Sequence, residues 1–277
     1  MFKKQYIDRS HLINRTVILF SSLLIFSWTV HTTLAISGGW TEDFTSNPTT
    51  RGWSYSGINP PLMSWDSTAG SLQCVWDSVT SLSQYGRGID FGFSLDQDHS
   101  FNLQFDVTFN YFSVGAYSNY PLAIGLYNST TFGNRQRNIV EWDYYLGTDS
   151  TYGGPNWTGF SVIDINGGYY NCIPAYHDLS GYTLKTSALY HINQTYDGGS
   201  KTMSLTMTEN GIPFGSFPAF SYCGMEFTVD RFAVTNYYDD TPISWGGQAT
   251  FRAIGTVDNI QLTYPLSVGP ETWMKME

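Results

Sequence analysis

Helical periodicity is the first thing this sequence lacks. After residue 35 no stretch repeats apolar side chains every three or four positions, which excludes helical bundles and alternating α/β folds. Charge is also scarce: 13% of the 277 residues are charged, with 13 Lys and Arg against 23 Asp and Glu, for a net charge of −10. A chain so short of cations cannot neutralise a phosphate backbone. Nucleic acid and anionic lipid are therefore excluded as partners, while neutral ligands and cations stay open. Cysteine is nearly absent. Cys74, Cys172 and Cys223 are an odd set, so at most one internal pair forms, with Cys172–Cys223 preferred, and their spacing fits no zinc site. No His stands in a nucleophile setting with Ser or Cys. Gly86-Arg87-Gly88 and Gly246-Gly247 lack the strand-to-helix context of a phosphate loop.

Long apolar runs are missing too, except near the start. Lys3, Lys4, Arg9 and Arg15 flank a run at 16–30 (TVILFSSLLIFSWTV), and Thr33-Leu34-Ala35 puts small residues before a cleavage point. This layout predicts a secretory signal peptide over 1–35. A retained membrane anchor is the alternative, but a run of about 15 residues falls short of the roughly 20 that span a bilayer. Cleavage leaves 36–277, a length suited to one large β-sandwich. Loss of four basic residues and Asp8 takes the charge to −13. The expected destination is secretion, to the extracellular space, the cell surface or a periplasm.

Aromatic side chains, glycine and alternation are what the chain does have. Aromatics make up 17%, with 20 Tyr and 9 Trp, more than one sandwich core needs, so some are expected on a binding surface. Residues 101–110 (FNLQFDVTFN) alternate apolar and polar with period two, as a strand with one buried face does. The segments 71–76, 121–127, 138–146, 159–166, 188–196, 202–209, 231–237 and 256–263 read the same way. Turn chemistry separates them at Asp66 to Gly70, Asp96 to Asp98, Asn166-Gly167-Gly168, Asp197-Gly198-Gly199 and Asn210-Gly211, the Asn-Gly and Asp-Gly pairs suggesting hairpins. Many short strands with regular turns predict an all-β fold of two antiparallel sheets, a jelly-roll sandwich over 36–263, with 264–277 as a tail. Asn128, Asn156 and Asn193 each begin a glycosylation sequon and are expected in three surface loops.

Three segments carry a family resemblance. Residues 40–57 (WTEDFTSNPTTRGWSYSG) resemble the opening strand of jelly-roll carbohydrate-binding domains. Residues 190–210 (YHINQTYDGGSKTMSLTMTEN) resemble paired strands of laminin-G-like and concanavalin A-like sandwiches, and 255–262 (GTVDNIQL) is similar to their closing strand. The order matches the concanavalin A-like superfamily, and the whole also resembles a group of exported bacterial proteins. In many such modules the first and last strands are neighbours and share a structural calcium. The resemblance therefore implies Glu42, Asp43 and Asp258 as its ligands, with backbone or water oxygens completing the shell.

The segment 138–145 (NIVEWDYY) bears most on function. Period two puts Glu141, Asp143 and Tyr145 on one face and Val140, Trp142 and Tyr144 on the other. Legume-type lectins carry a similar V-E-F-D strand whose carboxylates hold two metals, and 160–166 (FSVIDIN) resembles their following strand. The His of the lectin metal loop is missing here. Family-sixteen glycoside hydrolases carry E-x-D-x-E, but Tyr145 stands where the proton donor belongs, so retaining hydrolysis lacks its second carboxyl group unless Asp164 supplies it. The expectation is a carbohydrate-binding, lectin-like module with no catalytic residue, stacking sugar rings on Tyr and Trp and bonding hydroxyls through carboxylates and amides. The candidates are Glu141, Asp143, Tyr145, Trp157, Asp164, Asn166, Tyr169, Tyr170 and Trp245, with Trp142 pointing the wrong way. A structural or adhesive surface protein is the alternative, and a polysaccharide hydrolase or lyase comes third.

Overall fold

The computed structural model describes residues 37–56, 62–77, 85–114, 122–131, 139–145, 157–163, 176–178, 184–215, 219–221, 226–236 and 251–265. All belong to one compact unit, 35–277, distinct from 1–34. Among the described residues no helix is long and apolar enough to cross a membrane.

Two antiparallel sheets account for about three quarters of these residues. The first contains β1 (Ser37–Glu42), β3 (Met63–Asp66), β4 (Ser71–Asp77), β6 (Phe101–Val114), β11 (Leu189–Asp197), β12 (Thr202–Glu209), β13 (Ile212–Pro213), β14 (Phe220–Ser221) and β16 (Phe251–Pro265). Its order is β13-β12-β11-β6-β16-β4-β3, with β1 on β16 and β14 on β12. The second contains β2 (Ser54–Ser56), β5 (Tyr85–Asp96), β7 (Leu122–Tyr127), β8 (Ile139–Tyr145), β9 (Trp157–Ile163), β10 (Tyr176–Asp178) and β15 (Thr228–Asn236), in the order β10-β9-β8-β7-β15-β5-β2. The expected jelly-roll sandwich is therefore the fold.

Alternation builds the core as the sequence predicts. On β6, Phe101, Leu103, Phe105, Val107 and Phe109 are buried, facing Leu122, Ile124, Val140, Trp142 and Val234 of the other sheet within one apolar cluster. Trp142 lies edge-on to Phe105 at 6.0 Å between ring centroids, so its parity does take it into the core. Cys74 is free and buried there, and burial pushes its thiol far above the ordinary range. Cys172 and Cys223 lie outside the described residues.

Local detail departs from the sequence reading at three places. Asn193 is no loop residue: it sits in the middle of β11, opposite Gln104 on β6 and Thr206 on β12. Asn128 does begin a turn, after β7, and Asn156 lies outside the described residues. Asn210 and Gly211 have φ of 51° and 81°, the geometry of a tight primed turn. At Asp197-Gly198, however, positive φ falls on Lys201 (55°), in a longer loop that Asp197 Oδ1 closes by accepting from Gly199 and Ser200 N–H. Gly198 serves close approach instead, since a Cβ there would lie 2.4 Å from Asp98 O. Finally, β16 runs on to Pro265, paired with Ser37, so the last strand reaches two residues past the expected boundary.

Candidate functional site

Both faces of the second sheet bury side chains. One faces the core; Ala123, Tyr127, Ile139 and Ala233 form a separate buried cluster on the other. Glu141 belongs to this second face by parity. Reading across the strands, Ser54, Gly88, Ala233, Gly125, Glu141 and Ser161 are successive register partners. The row is a floor of small side chains from which one carboxylate rises. Gly125 is required there: a Cβ would come within 2.5 Å of Glu141 Cα.

Glu141 is fully buried, and its Oε2 accepts from Tyr127 Oη at 2.6 Å. Tyr127 Oη also lies 3.1 Å from Thr235 Oγ1. Tyr127 is the register partner of Arg231, whose guanidinium reaches Asp90 Oδ1 at 2.5 Å and Ser54 Oγ at 2.7 Å. The face thus holds two linked polar groups, Glu141–Tyr127–Thr235 and Asp90–Arg231–Ser54. The first is buried; the second reaches the surface at Asp90 and Ser54, which are exposed.

Asp143 pairs in register with Ala123 and Gly159, and Tyr145 with Trp157, so the strand geometry brings these three candidates to the Glu141 strand and its neighbour. Asp164, Asn166, Tyr169, Tyr170 and Trp245 lie outside the described residues. Sequence reasoning missed Tyr127, Thr235, Arg231 and Asp90. The available signal was the small residues at alternate positions, Gly86 and Gly88 on β5 beside Ala233 on β15.

The expected calcium ligands meet differently. β1 does pair with β16, Glu42 opposite Ile260, so the first and last strands are neighbours. Glu42, however, is buried, and its carboxylate accepts from Phe44 N–H at 2.7 Å, from Trp53 Nε1 at 2.8 Å and from the Arg51 guanidinium. Parity accounts for this placement, because Glu42 shares the inner face with Trp40. Asp43 Oδ1 accepts from Thr45 N–H and Oγ1, and the backbone bond chiefly holds its carboxyl below the usual range. Asp258 opposes Asp106 across β16 and β6. Partial burial first, and then Asp106, Asp43 and Glu42, push the Asp258 carboxyl above the usual range. Among the described residues no three His, Cys, Asp or Glu side chains are placed to hold a metal.

This repulsion has a testable sign. A carboxyl group whose folded pKa is raised contributes stability while protonated and loses it as pH climbs through that pKa. Asp258→Asn keeps the oxygen that accepts from Asn259 N–H and removes the charge. It should therefore melt higher than the parent at about pH 7, by less than about 1 kcal/mol for so solvated a pair, and match it at about pH 3. Equal melting at both pH values would show that the two carboxylates do not interact. Calcium that stabilises the parent but not the variant would instead establish a site at Asp258.

No protein-family model matches the chain, and no curated protein does. Solved structures do. Peanut lectin with a nine-residue peptide is similar with a TM-score of 0.55 at 12% identity, covering 84% of this chain and 99% of the lectin. The Lotus tetragonolobus seed lectin gives 0.52 at 12% identity over 83% and 100%. Basic winged bean lectin with Tn-antigen gives 0.51 at 12% identity over 83% and 99%. The fold is thus the concanavalin A-like jelly roll of these lectins, as the sequence resemblance implies.

Proposed function

We propose that this chain is an exported, lectin-like carbohydrate-binding protein whose ligand meets the second face of the seven-stranded sheet. The observation that supports this most is the polar face built around Glu141: small residues underneath, two linked hydrogen-bonded groups above, one of them open at Asp90 and Ser54. Tyr145 and Trp157, register partners on adjacent strands, are the aromatic residues we assign to it. Ring stacking with a few directed polar groups is the general recipe of a small-ligand site. Glu141 and Tyr127, being buried, act here as positioning residues. The lectin-like fold is consistent with this reading, and the basic-then-apolar pattern of residues 1–35 with export.

A glycan array probed with the exported chain, with and without calcium, tests it. The expected result is binding to a defined set of neutral oligosaccharides, weakened at least about tenfold by Trp157→Ala, which corresponds to loss of roughly 1.4 kcal/mol. The same glycans should yield no new reducing ends. Turnover that disappears in Glu141→Gln would replace binding with catalysis, and an array without signal would favour the adhesive reading.

A further inference from the structure

The outer face of the nine-stranded sheet carries a regular, uncharged array. Thr206, Asn193, Gln104, Gln261 and Thr41 are successive register partners across β12, β11, β6, β16 and β1. Two residues along, Ser204, Thr195, Asn102 and Thr263 form the adjoining row. Each of these nine positions alternates with buried or half-buried residues of the inner face, so all lie on the outer one. Their spacing is about 4.8 Å between strands and about 6.7 Å along them, so five strands span about 19 Å.

Three features distinguish this face from ordinary solvated surface. The nine side chains are all hydroxyls or amides, without one charge, whereas a soluble surface carries roughly a quarter to a third charged residues. The amides also hold one another in place: Asn102 Nδ2 donates to Thr195 Oγ1 at 2.8 Å and to Asn193 Oδ1, and Gln104 Nε2 donates to Asn102 Oδ1 at 2.6 Å. An array already ordered loses less rotamer freedom on binding. Finally, neither row offers the aromatic, Met or Arg anchors that mark the centre of a protein interface. Charge appears at both margins: at one, His191 Nδ1 lies 2.8 Å from Asp106 Oδ1 with Asp258 opposite, and at the other Asp197 stands opposite Thr202.

We infer that this face binds the ordered surface of an insoluble, neutral polysaccharide, making direct hydrogen bonds to its repeating hydroxyls. The occupant follows from the chemistry: two rows of uncharged donors and acceptors at strand spacing, on a protein of net charge −10, match a neutral polyol and not a polyanion or a polypeptide. The inference extends the carbohydrate-binding reading but uses the opposite sheet, so the two can fail separately.

Sedimentation of the full exported chain with microcrystalline cellulose and with chitin particles tests it. The parent should partition onto at least one of them and be little affected by salt. Thr206→Lys combined with Gln261→Lys places an ammonium at two exposed points of one row, each of which must be desolvated on contact, so affinity should fall at least about tenfold. Thr41→Lys, on the first strand, gives an independent variant should the double one melt early. Glu141→Gln should bind the particles as the parent does. Unchanged binding by both lysine variants overturns the inference, as does binding only of soluble glycans in a Glu141-dependent way, which leaves the lectin-like site standing. Reshaping of growing ice crystals without polysaccharide binding would overturn it in favour of a water lattice. Binding of neither particles nor soluble glycans would remove both readings together.

Discussion

Glu42→Ala should cost this protein about 3 kcal/mol of stability, the largest loss among the substitutions considered. Breaking a buried ion pair by removing one partner costs roughly 3–5 kcal/mol, and the lower end applies because Arg51 is about a third exposed. The charge is only part of the loss. The Glu42 carboxylate also takes the N–H of Phe44 and the indole N–H of Trp53, which would be left unpaired in the core. Phe44 needs that support. Its φ is 50°, a region costly for a bulky side chain, and its ring is fully buried 5.2 Å from Trp53. On its other side Phe44 O accepts from Trp65 Nε1 at 2.9 Å. Glu42 therefore fastens the end of β1, the short 3₁₀ helix Pro48–Arg51 and the edge strand β3 together. Urea unfolding followed by tryptophan fluorescence should show the loss, with Glu42→Gln recovering part of it through one retained acceptor. An alanine variant within about 1 kcal/mol of the parent, the usual net worth of one hydrogen bond, would mean that these bonds do not operate together.

The case of Glu42 also shows what could be read from the residues and what could not. Adjacency of first and last strands followed from the resemblance and is observed. The direction of the side chain followed from period two, because Trp40 and Glu42 must share a face, and Trp40 packs within 6.2 Å of Trp53 and 5.5 Å of Phe91. Glu42 and Asp43, as neighbours along the chain, turn to different partners: Glu42 to Trp53 and Arg51, Asp43 to Thr45. Glu141 was legible on its face because 138–145 alternates clearly. Its partner Tyr127 was not. β7 (LAIGLY) is buried on both faces, so no polar alternation marks which residue points where. Arg231 and Thr235 escaped notice likewise, since both are buried within β15, where all of 231–236 is buried. β5 was not legible from alternation because Gly86, Gly88 and Gly92 interrupt its apolar residues, and Gly88 lies under the Arg231 side chain, where a Cβ would come within 2.9 Å of its Nε.

Gln194→Met should raise stability by about 1–3 kcal/mol, an uncommon direction for a substitution in a packed core. Gln194 occupies an inward position on β11 between Ile192 and Tyr196 and is 1% exposed. Among the described residues, neither its Oε1 nor its Nε2 has a hydrogen-bond partner. Its register neighbours are Leu103 on β6 and Leu205 on β12, so no polar side chain flanks it within the sheet. Burying an amide without partners carries the full desolvation cost, and a methionine of similar length removes the polar atoms while filling the same space. In a domain of this size each kcal/mol moves the melting temperature by about 2–4 °C, so calorimetry resolves the gain easily. Backbone pairing across β6, β11 and β12 is untouched by the change, which confines the effect to the side chain. A melting temperature that falls or stays put would show that the amide is satisfied in solution, by a water held between the sheets. Gln194→Leu should then fall further than Gln194→Met, because a shorter side chain would also leave a cavity where that water had been.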